Sequence, residues 1–260
     1  MHDRLPAPVH LLAAMPATVT PDRPARAGLR ALADAAITAD RAGVDALVIR
    51  GSDPAGRPTV EPTGLLAVTA ARTVALGLVA EASPVSCPPD HLARELATLD
   101  FVSEGRAGLL LDDAGGPDAE DYLVTVRQHF HGDPERHPVV LTTWTPSTAD
   151  CHVSDGSDSA PLPRLRPVTL PRTPSSDPEV NAAASAELLE ELIRSERPYG
   201  LLLDFPAGPA SLEVFTRLTL PLLRERRVLP PRAERVRRTL RDRLDPTRPA
   251  HTSDAGAVAR

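Results

Sequence analysis

Lysine is absent from this chain: all 29 basic residues are arginine. Alongside 29 prolines and abundant alanine, that reads as a compositional bias of the source genome rather than a functional choice. Aromatic residues make up only 3%, so a core has to come from leucine, valine and alanine, within a hydrophobic content of 42%. Two cysteines, Cys87 and Cys151, exclude a disulfide framework, and a reducing cytoplasmic compartment is the expectation. No apolar run approaches the roughly 20 residues that span a bilayer. The stretch PVHLLAAMPATV has the look of a weak secretory leader, but Asp3 and Arg4 spoil the positive start, and a first buried strand fits better. A net charge of -6 argues against general nucleic-acid binding. No P-loop, G-x-S-x-G elbow or G-x-G-x-x-G fingerprint occurs.

What is present is alternation. Strand-like runs fall at Val9–Ala14, Val44–Arg50, Val74–Ala80, Ala107–Leu111, Pro138–Thr143, Cys151–Ser154, Arg166–Leu170 and Tyr199–Phe205. Helix-like segments come between most of them: Ala27–Ala42, Glu61–Thr73, Pro88–Gly105, Glu120–Phe130 and Asn181–Arg194, with Ser211–Arg226 at the end. Short apolar runs without polar alternation suit strands buried on both faces, and strands alternating with helices imply parallel pairing. Eight strands in 260 residues predict a single, reduced (β/α)8 TIM-type barrel, α/β in class, over residues 1–245 with a polar tail over 246–260. A doubly wound open sheet is the alternative. The Pro-, Ser- and Asp-rich region 150–180 holds no recognisable helix.

The most distinctive segment is PPDHLARELATLDFVSEGR, residues 88–106. Pro88 and Pro89 suit a helix entrance, where a missing N–H matters little. Asp90 complements the positive helix end. Leu92, Leu96, Leu99 and Val102 recur at spacings of three and four and share a face. Gly105 suits the left-handed turn that ends such a helix. Arg94, Asp100 and Arg106 are the charges expected to be partly buried, pinning the helix to the next strand.

Here the chain resembles a known family. Glu61-Pro62, Thr73, Gly77-Leu78, Ser83, Pro89, His91-Leu92-Ala93-Arg94, Leu99-Asp100, Ser103 and Gly105-Arg106 are similar to the luciferase-like flavin monooxygenases, in the branch typified by nitrilotriacetate monooxygenase. The segment PLLRERRVLPPRAERVRRTLRDRLDPTRPA resembles the closing pattern of that branch. The resemblance implies a barrel that binds reduced FMN at the C-terminal ends of its strands. A separate flavin reductase would supply the cofactor, and oxygen would be transferred to a small organic substrate. It implies flavin contacts at Asp53, Ser83, Thr143 and Ser147, and pairing as a homodimer or with a homologue.

The departures from the family pattern are also specific. Gly51 stands where the family has a flavin-contacting Asp, with Asp53 two residues on. Glu81 replaces an uncharged residue, and Leu109-Leu110 replaces a Trp-Asn pair. The loop from Thr142 to Thr148 keeps hydroxyls but no glycine. The alternative is therefore a non-catalytic luciferase-like subunit that stabilises or regulates a partner oxygenase. A third reading is flavin-free acid–base chemistry at Asp112 and Asp113. Trp144 is placed either on a ring or over the barrel mouth. His129, His131 and His137 match no zinc spacing, and no metal is expected. The arginines from Arg224 to Arg243 read as a structural tail at the barrel's base.

Overall fold

A computed structural model describes residues 9–18, 25–52, 59–112, 118–130, 137–144, 149–155, 162–171, 177–230 and 239–244. Eight strands run in sequence order: β1 (His10–Pro16), β2 (Ala46–Arg50), β3 (Gly77–Ala82), β4 (Ala107–Leu111), β5 (Val139–Thr142), β6 (Cys151–Val153), β7 (Arg164–Thr169) and β8 (Gly200–Asp204). Each pairs in parallel with the next, and β8 closes on β1 with His10 opposite Gly200 and Ala14 opposite Asp204. The result is the closed TIM-type barrel, not the open sheet. The helices are α1 (Ala25–Ala42), α2 (Pro62–Ala70), α3 (Pro89–Ser103), α4 (Ala119–Gln128), α5 (Pro178–Glu196), α6 (Pro209–Val214), α7 (Leu220–Glu225) and α8 (Leu240–Leu244). A π-turn at Phe215–Thr219 joins α6 to α7. None of the described helices is long and apolar enough to cross a membrane.

Strand pleating divides the core in two, because successive side chains point to opposite faces. Leu12, Val48, Val79, Leu141, Leu165 and Leu202 fill the barrel interior. Their neighbours Leu11, Leu47, Leu78, Val140 and Leu201 pack outward with the helices. Both faces are covered, so most strands are largely apolar, and β7 (RLRPVT), only partly buried, is the clearest departure. The region 150–180 supplies β6 and β7, and its segments 156–161 and 172–176 lie outside the described residues, as does the tail 246–260.

The base of the barrel is plugged by α8. Leu240 and Leu244 join the interior cluster. Gly77 and Gly108 make the room: a Cβ would lie 2.5 Å from Leu240 Cδ1 at the first and 2.9 Å from Leu240 Cδ2 at the second. The Leu240 N–H donates to the Gly105 carbonyl at 2.9 Å. Arg241 reaches Asp150 Oδ1 at 2.6 Å and also donates to the His137 carbonyl. Asp150 in turn takes Arg127 at 3.0 Å and the Val140 N–H at 2.8 Å. Part of the C-terminal arginine run thus does sit at the base.

The diagnostic helix differs in detail from its sequence reading. Val102 is 45% exposed, and the buried position beside it is Ser103. Arg94 is exposed and pairs on the surface with Asp90 at 2.9 Å, rather than pinning the strand. The left-handed turn spans two residues, Glu104 at φ 58° and Gly105 at φ 83°. Arg106 behaves as expected: it is buried and donates to the carbonyls of Ser103, Leu76 and Ala70 and to Thr73 Oγ1. Helix α2 stops at Ala70, three residues early, and Thr73 serves as an acceptor.

Candidate active site at the mouth of the barrel

Strand β3 extends past its expected end at Ala80, and this extension creates the site. Glu81 lies two residues after the inward Val79, so it too points inward. Arg50 follows Val48 on β2 by the same step, and Asp204 follows Leu202 on β8. Three charged side chains therefore meet at the C-terminal mouth. Arg50 Nη1 donates to Glu81 Oε2 at 2.8 Å. Its Nη2 and Nε donate to Asp204 Oδ1 at 2.7 and 3.2 Å. Ser52 Oγ donates to Glu81 Oε1 at 3.0 Å.

Glu81 is only 4% exposed. Burial pushes its carboxyl above the ordinary range; Arg50 and the Ser52 hydroxyl pull it back, and Asp112 pushes it up again. A buried carboxylate survives only with such partners. A guanidinium has five N–H donors. Glu81 and Asp204 take three of Arg50's, which fixes its plane and leaves two without a partner among the described residues.

Beside this triad lies a cavity of about 350 Å³. Leu110, Val153, Pro167 and Leu202 give it an apolar lining, and Arg50, Thr143, Ser154 and Asp155 a polar one. Arg166 donates to the Asp155 carbonyl, tying the end of β6 to β7. Thr143 Oγ1 donates to Asp112 Oδ1 at 3.2 Å. The Asp112 carboxylate is exposed at the end of β4, close enough to Glu81 to act on it electrostatically.

Of the four residues proposed from sequence, Thr143 borders this cavity. Ser83 sits in the turn after β3, outside the lining; its Oγ accepts from the Val85 N–H at 3.4 Å. Asp53 and Ser147 lie outside the described residues, as do Asp113 and His131. Trp144 packs against the outer core and is not among the residues lining the cavity. No group of three or more metal-binding side chains occurs among the described residues. Cys151 is buried in the interior, and burial first, then Asp150, raises its thiol to about 12, so it is inert. Arg50 and Asp204 were missed from sequence. The signal was there in VDALVIR and YGLLLDF, where a charge closes an apolar run in the inward register.

A closed parallel barrel with a polar site at its C-terminal mouth is a TIM-barrel protein of the type whose chemistry resides in the βα loops. Residues 9–194 match the luciferase-like monooxygenase family, and the chain belongs to it. It is similar to N-acetyl-S-(2-succino)cysteine monooxygenase of Bacillus subtilis (strain 168), 38% identical over 97 residues, covering 34% of this chain and 22% of that enzyme. The match thus spans about a fifth of that relative's length. In structure it is similar to EDTA monooxygenase from Chelativorans sp. BNC1, with TM-score 0.66, 14% identity and coverage of 91% of this chain and 98% of that one. It is also similar to a riboflavin lyase solved with modified FMN and riboflavin, with TM-score 0.65, 16% identity and coverage of 91% and 95%. At these identities the structural likeness is one of fold.

Proposed function

We propose that this chain is an FMN-dependent monooxygenase of the luciferase-like type, acting on a small organic substrate at the mouth of its barrel. A separate flavin reductase supplies the reduced flavin. The observation that carries this reading is the cavity at the C-terminal mouth: apolar walls, hydroxyls at the rim, and one oriented guanidinium.

That donor set suits the ring half of a flavin. A flat tricyclic ring needs apolar faces, here Leu110, Val153, Pro167 and Leu202. Its carbonyl edge needs N–H donors, and Arg50 has two that are uncommitted among the described residues. Thr143 and Ser154 offer hydroxyls on the same cavity. Asp53, Ser83 and Ser147 follow β2, β3 and β5 in sequence, and we propose them as further flavin contacts, as the resemblance implies. When bound, reduced FMN would supply the electrons that activate oxygen. The chain's own part is to bind, orient and exclude water, which the apolar lining favours.

One observation favours the second reading, a non-catalytic subunit. Glu81 and Asp204 offset the charge of Arg50, so the mouth is no general trap for anions. The two readings separate in an anaerobic titration with reduced FMN. The enzyme binds saturably in the micromolar range. Absence of binding at millimolar flavin, with co-purification of a longer homologue, would establish the subunit instead.

A further inference from the structure

We propose that the Arg50–Glu81–Asp204 triad sets which redox state of the flavin the mouth prefers. This rests on the flavin reading above. Arg50 would be the binding residue, and Glu81 and Asp204 its positioning residues.

Arg50 is the sole cation among the described residues lining the cavity. It is held from two sides, by strands β3 and β8, so its guanidinium cannot swing freely. Fixed donors bind more tightly than mobile ones, because little ordering entropy is lost, a gain common to both redox states. A reduced flavin ring carries negative charge at neutral pH, whereas the oxidised ring is neutral. The two uncommitted N–H groups of Arg50 therefore favour the reduced form. The carboxylates oppose it: two negative charges beside one positive leave the triad with one negative charge in excess. The preference is thus a balance between the near donors of Arg50 and the charge of its holders. Each side of that balance can be altered separately. The FMN phosphate is present in both redox states, so its interactions cancel in their ratio.

Dissociation constants for reduced and oxidised FMN, measured anaerobically on the full chain, give that ratio directly. Near-UV circular dichroism verifies the fold of each variant. Arg50→Met alone would strand the buried Glu81, so it is combined with Glu81→Gln. The pair leaves the net charge of the triad unchanged, and a loss then reports the guanidinium donors. The expected result is about tenfold weaker binding of reduced FMN, with oxidised FMN within about twofold. Asp204→Asn keeps a hydrogen-bond acceptor for Arg50 and removes one opposing charge. It should tighten reduced FMN by about tenfold relative to oxidised. If wild type binds reduced FMN and neither variant moves the ratio, the triad has no such role and the flavin reading stands. If wild type binds no reduced FMN, the flavin reading fails and this inference fails with it.

Discussion

Arg106→Met should destabilise the fold by roughly 3–5 kcal/mol, read as a fall in the urea midpoint at unchanged slope. Arg106 is 6% exposed, and its guanidinium joins three parts of the chain. Its Nε donates to the Ser103 carbonyl at 2.7 Å, at the end of α3. Its Nη1 donates to Thr73 Oγ1 at 2.9 Å and the Leu76 carbonyl at 2.8 Å, just before β3. Its Nη2 reaches the Ala70 carbonyl at 3.0 Å, at the end of α2. Methionine would leave three buried carbonyls without this donor. Lysine keeps the charge but not the fork, so Arg106→Lys should recover only part of the loss. A loss below about 1 kcal/mol in the methionine variant would mean that water replaces the guanidinium, contrary to its burial.

Leu240→Ala should have a comparable effect through a different cause. Leu240 is fully buried at the base of the barrel, against Gly77 and Gly108. Truncation leaves a cavity that the rigid strand ends cannot close, and such losses run about 2–5 kcal/mol. The base lies at the opposite end of the strands from the mouth. The variant, if folded, should therefore bind reduced FMN within about twofold of wild type. Thermal unfolding and the same titration measure both. A near-neutral effect on stability would show that α8 does not plug the barrel.

Most of the fold was legible because the strands are apolar on both faces. VALGLVA, AGLLL and YGLLLDF stand out from any neighbouring helix pattern. The end of β3 was not legible for the same reason. Glu81 interrupts an apolar run, and a short window stops the strand there. Its burial depends on Arg50, 31 positions earlier, and Arg50 is in turn held by Asp204, 154 positions later. No local pattern contains either partner. Val102 fits the helix spacing better than Ser103, yet Ser103 is the buried one. Its carbonyl and hydroxyl serve the Arg106 side chain and backbone, a demand that periodicity does not register. The motif residues are largely structural in this chain. Ser103, Gly105 and Arg106 build the joint between α3 and β4, Gly77 gives room to the plug, and none of them lines the mouth cavity. Thr143 was named because the Thr142–Thr148 loop resembles the family's fifth-strand loop, and it borders the cavity at the C-terminal end of β5.

The central claim is that the C-terminal mouth is the ligand site of this luciferase-like barrel. Amide hydrogen exchange with and without saturating reduced FMN, kept anaerobic, tests it most directly. The account predicts added protection at the ends of β2, β3 and β4 and around Thr143 and Ser154, with none at α8 or the base. Protection confined to the base or to the outer helices, or no change anywhere at saturation, would contradict it.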